Sequence, residues 1–369
     1  MLLLVYFFSN CLILTLEDIK SIEYSSVLGY VNLEVLLGNP VQRKYFEADM
    51  ENNLTYVGNN FYHQSNSKLI HSEGQCSHEG VSNLSYYLYS DCIRLDDVRD
   101  KQFDNFYFYF FNKSFYQFDS ISFALQIEDE RTSLIHQLYT NDIIDNKQFG
   151  FIRDGKNSNG HLYLGGFPTE KVNGLNAVEI KVNPNRQRWG NIIEKIKFRN
   201  NKEYISGEYG YFTTKIGISA PLRFFDYLEF DLFLDYFNNG SCMRTSYQNK
   251  KNIFECDCEI FKQTMNLTFV IDNKYINVDE SLLFHPTLTN KCRLKIDENK
   301  SENVWKIGFN FLEENPTLFN YETKSMTIYS KAFYPENKRE SIFILTIFFI
   351  STNAIMIGFL LLYKWKKLN

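Results

Sequence analysis

Residues 38–57, GNPVQRKYFEADMENNLTYV, set the first constraint on the fold. Gly38, Asn39 and Pro40 mark a turn, where proline fixes one backbone angle and cannot donate a backbone hydrogen bond. Tyr30–Leu37 (YVNLEVLL) alternates enough for a strand leading into that turn, and residues 45–48 alternate again beyond it. At the end of this second strand stands a carboxylate, Asp49. Aromatic residues make up 17% of the 369, with 34 Phe and 25 Tyr against 7 Pro. Such a composition favours strands, and the length suffices for two lobes with separate cores. An all-β two-lobed fold is expected rather than a helical bundle. A net charge of −5 gives no electrostatic basis for binding nucleic acid.

The two ends are apolar. Residues 1–16 (MLLLVYFFSNCLILTL) read as a secretory signal peptide that gives way to Glu17 and Asp18, followed by a short N-terminal segment over 17–29. No Lys or Arg opens that run and Asn10 interrupts it, so an uncleaved signal anchor is the alternative. Residues 342–363 carry no charge and are apolar enough to span a bilayer as a helix, after a juxtamembrane linker over 332–341. Asn353 lies within that span, where an amide can bond to a partner helix. Lys364, Lys366 and Lys367 follow at once beside Trp365, an interfacial residue. Positive charge after the span puts residues 364–369 in the cytosol and the preceding chain in the lumen or outside, a type I arrangement. The last four residues also resemble the K-K-x-x signal that retrieves membrane proteins to the endoplasmic reticulum, through Lys366 and Lys367.

Cysteine usage fits an oxidising compartment. Of 7 cysteines, Cys11 falls in the signal, which leaves Cys76, Cys92, Cys242, Cys256, Cys258 and Cys292 for disulfides. Confining bridges to lobes pairs the first two and leaves three pairings for the other four. Cys256 and Cys258 make no convincing zinc site, because no second close Cys or His pair accompanies them. No metal or cofactor is expected. Sequons at Asn53, Asn83, Asn112, Asn239, Asn266 and Asn299 all lie between signal and span, where glycosylation could use them.

Gly38, Pro40, Gln42, the strand over 45–48, Asp49 and the closing Tyr56-Val57 resemble the first active-site segment of the pepsin-like aspartic peptidases, G-T-P-x-Q, a strand, then D-T-G-S-S and an aromatic residue. Met50 and Glu51 stand where that family has Thr and Gly. Further pieces follow in the family's order. Residues 92–96 (CIRLD) resemble the strand after the flap hairpin, which puts the flap tip, a substrate-binding element, near Glu79 and Gly80. Residues 118–125 resemble F-D-G-I-x-G-L with Ser120 and Phe123 at glycine positions. Residues 133–152 match a helix followed by K-Q-F-S/G-F, and residues 160–166 match G-x-L-x-L-G-G. Trp189 opens a strand resembling the start of the second lobe, and Trp305 to Gly308 resemble W-I-L-G. The resemblance covers roughly residues 30–329. It implies a bilobal pepsin-like fold, with an N-terminal lobe over 30–182 and a C-terminal lobe over 183–331. It also implies a bridge between Cys258 and Cys292, with Cys76 to Cys92 closing the first lobe.

The family's second catalytic segment is D-T/S-G-T-S, ahead of a proline that heads a helix. Here Tyr211 and Phe212 place Thr213 at the aspartate position, with one residue missing before Pro221; a gapless count from Pro221 places Phe212 there instead. Neither supplies a carboxylate. Residues 222–237 then read as the helical stretch, and residues 275–283 as a strand farther on. Family members hydrolyse peptides with two aspartates, one per lobe, that share a proton across a water; close carboxylates split their pKa values into an acid and a base. Asp49 without a partner is expected to be a solvated turn carboxylate. Glu51 sits at the glycine of the turn, where a side chain is expected to alter the turn and point its carboxylate elsewhere. Glu208, several residues before Thr213, offers no better substitute. Three functions follow: a pseudopeptidase whose cleft binds peptide segments without cleaving them, an endopeptidase with an unconventional dyad, or a glycosylated scaffold.

Overall fold

The strand Gln42–Asp49 pairs antiparallel with Tyr30–Leu37, in accord with the turn expected from the sequence between them. In the computed structural model these strands belong to a 13-stranded sheet; a 7-stranded and a 4-stranded sheet complete the β structure. The structure describes residues 20–330 except 28–29, 38–41, 52–54, 59–67, 79–80, 96–101, 112–120, 127–131, 154–158, 248–250, 288–290 and 301. The expected signal, membrane span and cytosolic tail lie outside the described residues, as do Glu79, Gly80, Asn53 and Asn112 and the side chains of Cys76, Asn83 and Cys92. Among the described residues no helix is long and apolar enough to cross a membrane.

One pattern of pairing occurs twice. In the first copy Gln42–Asp49 runs parallel to Ile121–Ala124, which runs antiparallel to Tyr56–Gly58, which runs parallel to Gln102–Phe111. In the second, Glu203–Phe212 runs parallel to Trp305–Ile307, which runs antiparallel to Ile218–Ala220, which runs parallel to Ile296–Glu298. The first and fourth strands thus flank an antiparallel inner pair in each lobe. Asp49 ends the leading strand of one copy, and Thr213 follows the leading strand of the other. Gly308 is required in the second copy because a Cβ there would collide with the carbonyl oxygens of Gly217 and Lys215.

Three boundaries differ from expectation. Lys20–Val27, placed in the short segment ahead of the first lobe, is a strand paired with Asn159–Leu164. Thr317–Asn320 and Ser325–Ser330, assigned to the second lobe, extend the first lobe's sheet through Gln148–Arg153, and Ser325–Ser330 also pairs with Asn176–Lys181. These pairings are non-local, so alternation within each segment cannot reveal them. The stretch expected as one strand over 275–283 divides into the strand Lys274–Asn277 and the helix Glu280–Leu283, capped by Asp279, which accepts from the Ser281 N–H. Downstream of Pro221 the helical stretch resolves into Leu222–Tyr227, a π-helical turn Leu228–Leu232 and Leu234–Asn238, which together bury Phe224, Phe225, Leu228 and Leu232.

The third sheet is fastened by both disulfides seen among the described residues. Cys242 bonds Cys256, its cross-strand neighbour, and Cys258 bonds Cys292. The loops they close span 14 and 34 residues, each removing about 3–4 kcal/mol of loop entropy from the unfolded chain on the loop-closure estimate.

The lobes share one continuous apolar core, and Trp189 joins them. Its ring is fully buried against Phe149, Phe319 and Tyr321 at 5.8, 5.2 and 5.0 Å between centroids. Its Nε1–H donates to the Leu125 carbonyl at 2.7 Å. Leu125 in turn donates its N–H to the Asp49 carbonyl, so the packing of Trp189 bears on the strand end that carries Asp49. Replacing Trp189 with Ala should cost about 3–5 kcal/mol of stability in chemical denaturation; a loss under about 1 kcal/mol would show that the ring does not join the lobes.

Candidate functional site

The two leading strands deliver matching turns to one place. The N–H of Glu51 donates to Asp49 Oδ1 at 2.8 Å, and the N–H of Lys215 donates to Thr213 Oγ1 at 3.2 Å. In each lobe the residue at the strand end accepts from the backbone two positions on. This correspondence puts Thr213, not Phe212, opposite Asp49, and puts Glu51 opposite Lys215. Phe212 is instead core, packed on Phe311 and Phe319.

The side chains meet across the lobes. Thr213 Oγ1 donates to Glu51 Oε1 at 2.7 Å, and Lys215 Nζ lies 3.4 Å from Glu51 Oε2. The Glu51 side chain is only 12% exposed, so its carboxylate belongs to the site floor rather than to solvent. This corrects the expectation that Glu51 would distort the turn and point away. The turn survives because its defining bond uses the Glu51 N–H, and neither Glu51 nor Lys215 is among the described residues with positive φ. Asp49, expected to be solvated, is buried at 5% exposure.

The charges at the floor are unequal in kind. Burial acts to raise the Glu51 pKa, but the Thr213 hydrogen bond and the cations of Lys215, Lys306 and Arg188 outweigh it and hold the carboxyl below its ordinary range. Burial acts to lower the Lys215 pKa, and Glu51, Asp49 and Glu47 more than compensate. Glu47, two residues before Asp49 and therefore on the same face of its strand, is pushed up to about 7 by burial and then by the charge of Asp49, against the pull of Lys215. The second lobe thus contributes a cation and a hydroxyl where a pepsin-type mechanism needs an acid.

Sequence reasoning named Asp49 and Thr213 but gave no role to Glu47 or Lys215. The signal was available for both. Glu47 shares the alternation phase of Asp49, and Glu51 and Lys215 are opposite charges two residues beyond matching strand ends. Glu208 is apart from this group: it is buried and accepts from Tyr204 and Ser206 of its own strand. The hairpin Lys68–His78 and Val81–Leu95 pairs down to His78 opposite Val81, with the expected flap tip between them. Among the described residues no group of His, Cys, Asp and Glu is arranged to hold a metal. Of the described sequons, Asn239 is exposed, whereas the Asn299 amide donates to the Val304 carbonyl and the Asn266 sequon buries its Thr268.

Glu47 supplies a test of this electrostatic arrangement. A raised carboxyl pKa means the folded chain binds the proton more tightly than the unfolded chain, so stability falls as pH rises from about 4.5 to about 7. Glu47→Gln should remove that decline: its melting temperature relative to wild type should climb across this window. A difference that stays flat with pH would show that the Glu47 carboxyl is neither buried nor close to Asp49.

Comparisons with known proteins bear on the fold. Residues 233–330 match the family model of the eukaryotic aspartyl proteases. An aspartic proteinase from Irpex lacteus is similar in structure, at 14% identity over 85% of this chain and 98% of that one, with a TM-score of 0.64. Basic 7S globulin from soybean is similar at 12% identity over 85% of this chain and 96% of that one, with a TM-score of 0.65. No curated protein sequence matches. The chain has the fold of the pepsin-like aspartic peptidases and carries their family signature over residues 233–330.

Proposed function

We propose that the chain is a pseudopeptidase: a membrane-anchored member of the pepsin-like group whose interlobe cleft binds peptide segments without hydrolysing them. One observation carries the reading. Where a second aspartate would stand, Thr213 donates its hydroxyl to Glu51, and Lys215 pairs with the same carboxylate. Hydrolysis by the family's route needs one carboxyl to hold a proton while its partner activates water. Glu51 is held ionised by its partners, and Thr213 cannot ionise in the working range. Peptide binding asks less, because an extended chain needs only backbone pairing and side-chain pockets. The two structural neighbours, one named a proteinase and the other a globulin, illustrate that the fold alone does not assign an activity.

Glu47 supports a second reading, an endopeptidase with an unconventional dyad. Burial and the charge of Asp49 raise the Glu47 pKa, so this carboxyl holds a proton more tightly than an ordinary Glu beside a second carboxyl. Both belong to one strand of one lobe, however, and do not bracket a water between lobes as the family's mechanism requires. Purified protein should leave an unfolded protein substrate intact at acidic pH, with Asp49→Ala and Glu47→Gln indistinguishable from wild type. Cleavage abolished by either substitution would establish the endopeptidase instead. Extended peptides should raise the melting temperature of the wild-type chain; no shift with any peptide would leave a scaffold.

The anchoring part of the proposal rests on residues 342–363 and the basic tail. Replacing Lys366 and Lys367 with Ser should move the protein from the endoplasmic reticulum to later compartments. An unchanged distribution would dispose of the retrieval signal.

A further inference from the structure

The third sheet sets its cysteines in a row across the strands. Three of its strands are neighbours in the order Cys242–Tyr247, Lys251–Asp257 and Lys291–Leu294. Cys256, on the middle strand, lies directly opposite Cys242 on one side and directly opposite Cys292 on the other. Residues directly opposite in an antiparallel ladder share a face of the sheet, with Cβ atoms about 4.5–5.5 Å apart. Cys258, two residues beyond Cys256, opens the helix Cys258–Thr264. The bonds join Cys242 to Cys256 and Cys258 to Cys292. Cys292 is thus bonded to the diagonal cysteine and not to the one it faces.

Burial decides where a thiol can enter this row. Cys242, Cys256 and Cys292 are 3%, 0% and 2% exposed, whereas Cys258 is only partly buried. Thiol–disulfide exchange proceeds by attack of a thiolate on one sulfur of a bond, with the other sulfur leaving, so access selects the sulfur attacked. Attack at Cys258 makes Cys292 the leaving thiolate. Cys292 then stands on one side of Cys256 with Cys242 on the other, the alignment that displacement at the Cys256 sulfur needs.

We propose that the third sheet is a thiol–disulfide exchange site, entered by a dithiol reductant at Cys258 and relayed along the row to Cys242. One thiolate of the dithiol bonds to Cys258 Sγ and expels Cys292 as a thiolate. Cys292 bonds to Cys256 Sγ, and Cys242 leaves and takes up a proton. The second thiol of the reductant then closes its own disulfide and releases Cys258 as a thiol. The dithiol is oxidised by two electrons, and the protein gains thiols at Cys242 and Cys258 while keeping one bridge, Cys256 to Cys292. That bridge ties the two inner strands together and frees both the edge strand Cys242–Tyr247 and the start of the helix. The exchange is independent of what the cleft binds.

The test uses the purified, folded full-length protein with dithiothreitol as the dithiol. Trapping with N-ethylmaleimide at low pH, followed by peptide mass spectrometry, reads the state of each cysteine. Molecules that retain a single bridge among these four residues should carry label on Cys242 and Cys258 and hold Cys256 bonded to Cys292. Label on Cys258 and Cys292 with Cys242–Cys256 intact, or on Cys242 and Cys256 with Cys258–Cys292 intact, overturns the proposal. So do bridges that open only when the chain unfolds. Cys242→Ser gives a check without any reductant: Cys256, left without its partner, should displace Cys258 from Cys292 and leave Cys258 open to the label. A variant in which Cys258 stays bonded to Cys292 overturns the relay.

Discussion

A carboxylate from one lobe held by a hydroxyl and an ammonium from the other closes the floor of this cleft. The bonds run in a ring: the Lys215 N–H to Thr213, the Thr213 hydroxyl to Glu51, and the Lys215 ammonium back to Glu51, with the Glu51 N–H tied to Asp49. In a partly dry site such a network strengthens each of its bonds, and losing one member leaves a charge without compensation. Its value is more in geometry than in net stability, because desolvating an ion pair takes back much of the Coulomb gain. It fixes how the two strand ends face each other.

The fold treats the lobes alike while the sequence does not. Both copies of the strand pattern place a side-chain oxygen where the N–H two residues on can reach it, with Asp49 in one and Thr213 in the other. The symmetry is therefore kept by the backbone, which needs only an acceptor at that point. Catalysis needs more, namely two ionisable groups that compete for a proton. On the proposed reading, a hydroxyl in place of the second acid keeps the scaffold and removes the competition across the lobes. The turn positions carry a Glu and a Lys, which pair with each other across the lobes.

Much of this could be read from the chain, and the failures have a common cause. The strand ending at Asp49 and the helical stretch after Pro221 are local, the Cys258–Cys292 bridge is what the family resemblance implied, and the structure contains each of them. The direction of the Glu51 side chain depends on residues 162 and 164 positions away, which no local pattern encodes. The same holds for Lys20–Val27, whose partner strand begins at Asn159, and for the last strands, which return to the first sheet. Reasoning from glycine's conformational freedom misjudged Glu51 because this turn is held by a backbone donor any residue possesses.

Whether a proton is shared across the lobes decides between a sealed floor and a working one, and Glu51 reports on it directly. A Glu whose folded pKa is depressed contributes stability above its unfolded pKa and loses it as pH falls through the folded value. Following the Glu51 side-chain carboxyl by carbon NMR in selectively labelled protein measures that value. A titration below the ordinary Glu range, moved upward by Lys215→Met, is the predicted result. A Glu51 carboxyl that keeps its proton toward neutral pH, in step with Asp49, would contradict it and restore a dyad to the cleft.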